Sequence, residues 1–114
     1  MIINLTPADS PYTLTPEQFT QITNLKPDVN ILCSGNGSLV INLPAIADLT
    51  NGQGQLVVQL TDKVIDVTIN AAAPDKFAGS PTLPFIDTSI AAIPNNNQNA
   101  LFTMTANGEV WNTI

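Results

Sequence analysis

The 114-residue chain carries nine carboxylates against three cations, Lys26, Lys63 and Lys76, for a net charge of -6, and has no arginine or histidine. Clustered cations, which phosphates and anionic lipids require, are therefore missing, so nucleic acid and anionic membrane surfaces are excluded as partners. Without histidine, Ser-His and Cys-His nucleophiles and imidazole metal sites are excluded too.

A chain of this length forms one domain, 1–114, and buries roughly two-thirds of its unfolded surface. Only 11% of its residues are charged, against roughly 25% in an ordinary soluble domain. With 44% apolar residues and few charges to keep copies apart, it is expected to hide surface in an assembly. No run reaches the roughly 20 apolar residues of a membrane-spanning helix. The N-terminus lacks the basic stretch and apolar core of a secretory signal, so synthesis and assembly in a cytoplasm are expected.

In chain order, Ile3 and Leu5 share one face of a first strand. Thr15 is a helix cap, Pro16 suits the first helical position, Gln18 completes a capping box, and Leu14 with Phe19 forms a staple. A short helix near 15–25 is expected, ended by Pro27. Val29, Ile31 and Cys33 then alternate with Asn30 and Leu32, and Leu39, Ile41 and Leu43 with Ser38, Val40 and Asn42. The intervening Gly35-Asn36-Gly37 predicts a turn, hence a hairpin over 29–43. A brief helical turn from Leu43-Pro44-Ala45 through Leu49 is expected as a second helix.

Residues 55–70 predict a second hairpin about Asp62-Lys63, setting Leu60 opposite Ile65, Val58 opposite Val67 and Leu56 opposite Ile69. These six residues are the expected centre of the core; Val40, Val57 and Val64 point outward. Residues 71–100 are rich in proline and asparagine, and Pro81 and Pro84 leave Leu83–Ile86 an edge strand at best. A last hairpin over 101–114 turns at Asn107-Gly108, with Met104 opposite Trp111 and Leu101 opposite Ile114.

Candidate chemistry is sparse. Asp62 and Asp66, four apart, share a strand face and read first as solvated acids, with paired-carboxylate glycoside chemistry as the alternative. Cys33 reads as a small core residue; the alternatives are a reactive thiol or an intermolecular bridge. Trp111 is either a buried partner of Met104 or a platform for a sugar ring, and Asn95–Asn99 is either a solvated loop or a set of amides for a glycan. The sequons at Asn4 and Asn36 are expected by chance in so Asn- and Thr-rich a chain. There is no calcium loop, no dinucleotide fingerprint and no Walker pattern. No catalytic residue, metal ligand or cofactor is assigned, and the chain is not expected to be an enzyme.

The order of elements over residues 11–114 resembles a module of bacteriophage appendage proteins: head fibres, tail fibres, spikes and capsid decorations. The resemblance rests on Tyr12–Thr15, the strand Val40–Leu43 ending at Pro44, the Gly-led strand Gly54–Leu60, Val67–Asn70, the loop Asp75–Gly79, and the strand, turn and tryptophan of Leu101–Trp111. It implies a small antiparallel β-sandwich or β-prism-like module, no catalytic site, and a homotrimer attached to other virion proteins. No binding residue carries over, because the likeness is to the scaffold. The function expected is a virion structural protein; the alternative is a receptor- or glycan-binding module at the tip of an appendage.

Overall fold

A computed structural model describes residues 1–19, 29–78, 85–87, 89–93, 101–107 and 110–113. The period-two alternation becomes strands β1 (Ile2–Leu5), β2 (Tyr12–Thr13), β3 (Val29–Cys33), β4 (Gly37–Asn42), β5 (Gln55–Leu60) and β6 (Ile65–Asn70). They are followed by β7 (Lys76–Ala78), β8 (Phe85–Asp87), β9 (Ile90–Ile93), β10 (Leu101–Asn107) and β11 (Val110–Thr113). Two sheets result, one of six strands in the order β1-β3-β5-β10-β11-β7 and one of five in the order β2-β4-β6-β9-β8.

The protein is mainly β, as its alternation predicts, but the expected all-antiparallel arrangement is wrong. Strands β1, β3 and β5 run parallel, as do β2, β4 and β6, and β7 with β11. Antiparallel pairing joins β5 to β10, β10 to β11, β6 to β9 and β8 to β9. Neither of the first two expected hairpins forms. After β3 the chain crosses to the other sheet as β4, and after β5 it crosses again as β6. Each strand therefore pairs with one 27 to 29 residues further along, running in the same direction.

The crossings have local causes. At Gly35 φ is +103° and at Gly37 it is +131°, so the chain turns where side chains are disfavoured. Pro7, from the crossing one layer earlier, fills the space beneath; a Cβ on Gly35 would stand 3.0 Å from its Cδ. From the next layer, the Asp62 carboxylate accepts the Gly35 N–H at 2.6 Å. The three crossings stack as the strands do. Backbone bonds extend the ladder past the strand ends, from Ser34 N–H to Leu5 O at 3.0 Å and from Thr61 N–H to Cys33 O at 2.8 Å.

The core residues are those expected. Leu56, Val58, Leu60, Ile65, Val67 and Ile69 are all fully buried in one cluster with Val29, Ile31, Leu39 and Ile41. Their neighbours differ. Leu60 pairs with Cys33, Val58 with Ile31, and Leu56 with Val29, while Ile65, Val67 and Ile69 pair with Gly37, Leu39 and Ile41. The outward valines behave as predicted: Val40 and Val57 are half-buried and Val64 is exposed.

Instead of a helix near 15–25, the described part of that segment is a single 3-10 turn, Pro16–Phe19. Half of the capping box is present, with Gln18 Oε1 accepting the Thr15 N–H at 2.7 Å. Leu14 and Phe19 are both buried. Residues 20–28 lie outside the described residues. The brief turn after Leu43 is present as two 3-10 turns, Ile46–Asp48 and Thr50–Gly52.

The terminal hairpin exists in a different register. Asn107 pairs with Val110, Ala106 with Trp111 and Met104 with Thr113. Asn107 is thus a strand residue, and the two connecting residues, 108 and 109, lie outside the described ones. Relative to the expected pairing the strands slide by two residues, which keeps every side chain on its face and so leaves the apolar pattern unable to distinguish the registers. Strand β8 is the edge of its sheet, as the flanking prolines require.

Candidate interaction surface

Trp111 lies fully buried on β11. Its ring meets Phe19 at a centroid distance of 5.6 Å and an interplanar angle of 54°, a tilted arrangement that favours aromatic pairs. Among the described residues the indole N–H has no hydrogen-bond partner. A sugar-stacking platform at Trp111 is therefore ruled out. Its expected pairing with Met104 is replaced by the pairing with Ala106.

Cys33 is fully buried, and desolvation pushes its thiol up to about 12. It is a core residue; neither reactivity nor an intermolecular bridge fits a neutral, enclosed thiol. Asp62 is committed to the Gly35 N–H, whereas Asp66 stands on β6 beside Ser38. The two acids thus occupy a crossing and a sheet face respectively. Asn4 and Asn36 are exposed, and Asn95–Asn99 lies outside the described residues.

Two polar features escaped the sequence reading, and both are structural. Asp75, buried to 4% exposure, accepts the Ile46 N–H at 2.7 Å and satisfies a backbone donor otherwise sealed in the core. Asn70 Nδ2 donates to Asn42 Oδ1 at 3.0 Å, and Asn42 Nδ2 reaches Thr13 Oγ1 at 3.5 Å. This ladder crosses three parallel strands of the five-stranded sheet. Only the parallel register stacks these residues, so no local sequence signal marks them.

Charge is distributed unevenly. On the outward face of the six-stranded sheet, the residues of β1, β3 and β5 include Ile2, Leu32 and Val57 and no charge. Among the described residues, Lys76 at the far edge is the sole charge on that face. The described acids outside β6 and β8 sit on turns, at Asp9, Glu17, Asp48, Asp62 and Asp75. Among the described residues Met1 and Ile2, at 60% and 67% exposure, are with Val64 the large apolar groups left in water. Set against family models, curated proteins and solved structures, the chain matches none.

Proposed function

We propose that this chain is a structural subunit of a bacteriophage virion, a decoration, spike or short fibre module, and that it works by self-association and attachment to other virion proteins. The observation that carries the self-association is the outward face of the six-stranded sheet, whose described residues carry only the charge of Lys76, on a molecule of net charge -6. Copies of so acidic a chain repel through their turns and can approach only where carboxylates are missing. The virion context comes from the order of elements over residues 11–114. So does the number of copies, for which that resemblance implies three. In this reading the two sheets and their shared core form a sandwich-like module, with parallel layers at one end and antiparallel strands at the other.

Nothing among the described residues favours the glycan-binding alternative, because the aromatic side chain that would support it is buried. Sedimentation of the purified chain at micromolar concentration tests the association: an oligomer is expected, and a single 12.1 kDa species would refute it. The virion assignment is tested by mass spectrometry of purified phage particles from the host that encodes the chain. Its peptides are expected there, and their absence would remove the assignment.

A further inference from the structure

The two sheets have four edges: β1, β7, β2 and β8. An exposed edge offers unpaired N–H and C=O groups to any passing strand, and proteins blunt such edges with short strands, prolines, charges or bulges. Three of these edges are blunted. Strand β2 is two residues long between Pro11 and Pro16, β7 begins with exposed Lys76 just after Pro74, and β8 is three residues long with an irregular register. Strand β1, four residues long, has no proline, charged side chain or bulge. From Met1 to Thr6 there is no proline, no glycine and no charged side chain, and Met1, Ile2 and Asn4 are exposed.

The parallel pairing to β3 fixes which groups of β1 remain available. Asn30 donates to Met1 O at 2.9 Å, and Ser34 donates to Leu5 O at 3.0 Å, so odd-numbered residues face β3. In a parallel ladder the alternate residues then aim their backbone groups the other way. Here those residues are Ile2 and Asn4, whose N–H and C=O groups meet no other strand among the described residues.

We infer that β1 is the contact between two copies of this chain, paired antiparallel about a two-fold axis at Ile3. The inference rests on the self-association proposed above, places the contact at the β1 edge of the same charge-poor sheet, and takes two copies in place of the three that the resemblance implies. In this register Ile2 lies opposite Asn4 of the second copy, and the four outward backbone groups on each side form four hydrogen bonds. On the inward face Met1 meets Leu5 of the second copy and Ile3 meets its own equivalent, an unbroken apolar row. Ile3, now only partly buried against the core, is covered. The occupant is a second copy because the segment is complementary to itself. The first acid after the strand in sequence, Asp9, accepts the Thr6 N–H at 2.8 Å and lies outside the paired residues. Two chains of charge -6 meet here without opposing carboxylates. A two-fold pairing also closes on itself and, among the described strands, leaves the blunted edges.

The test uses the full chain. Light scattering is expected to give a dimer. Asn4→Pro removes an outward N–H without touching a bond to β3, and Ile2→Glu with Asn4→Glu sets like charges directly opposite across the axis. Both variants are expected to raise the dissociation constant at least tenfold while circular dichroism stays β-rich. Ile3→Cys is the positive arm: equivalent residues would sit roughly 4.5 Å apart at a non-hydrogen-bonded pair, within disulfide reach. Oxidation is expected to link Ile3→Cys chains and not Asn4→Cys chains, with buried Cys33 silent in both. Association that survives both variants without Ile3→Cys cross-linking, or a trimer, overturns the β1 contact and leaves self-association standing. A monomer at all concentrations overturns both.

Discussion

Asp75 shows how much one buried carboxylate can decide. It seals the Ile46 N–H inside the core, so Asp75→Ala is expected to cost about 1–3 kcal/mol, the desolvation penalty of an unpaired donor. Asp75→Asn keeps an acceptor in place and is expected to cost less, and urea titration of the two variants measures the difference. Cys33 makes a pH-dependent contribution. Its folded pKa is raised from 9.0 to about 12, so above pH 9 the unfolded chain releases a proton that the folded chain retains. Stability then falls as pH rises, by up to about 1.4 kcal/mol per unit between pH 9 and 12. Below pH 9 this effect vanishes. Cys33→Ala is expected to flatten that alkaline slope in denaturation curves, at the expense of some packing at every pH.

At the scale of elements, the crossings decide the topology. Gly35→Ala is expected to destabilise by about 1 kcal/mol or more, because the residue combines positive φ with contact to Pro7. Thermal melting measures it. The parallel order of β4 and β6 can be read by cross-linking. Ser38 and Asp66 are register neighbours, so a chain carrying Ser38→Cys and Asp66→Cys is expected to form an internal disulfide. Failure of that bond in an otherwise folded chain would contradict the register. The Asn42–Asn70 amide pair belongs to the same ladder. A double-mutant cycle to alanine is expected to give a coupling of about 0.5–1.5 kcal/mol.

For the molecule as a whole, both sheets contribute inward rows to one core, in which Val58 is fully buried. Val58→Ala is expected to cost about 2–4 kcal/mol in equilibrium unfolding. This loss follows from burial alone and would be similar in the hairpin arrangement first expected. The cross-link is informative about topology where the core truncation is not. Assembly belongs to this scale too, since a mostly uncharged sheet face and one bare edge are properties of the folded surface rather than of any single strand.

The sequence by itself determined which residues are inside. Alternation marked Val29, Ile31, Cys33, Leu39, Ile41 and the six residues from Leu56 to Ile69, because burial has only two sides to choose between. It also determined the weak charge, the absence of histidine chemistry, the edge position of β8 and the existence of the final hairpin. Only the tertiary structure decided which strands are neighbours. A strand that turns back on itself and one that crosses to a second sheet present identical apolar faces to the core, so periodicity cannot separate them. That choice lay in contacts between residues far apart in the chain, Pro7 beneath Gly35 and Asp62 upon it. Likewise the bare edge at β1 follows from strand order, because whether Ile2 and Asn4 keep free backbone groups depends on what lies beside them.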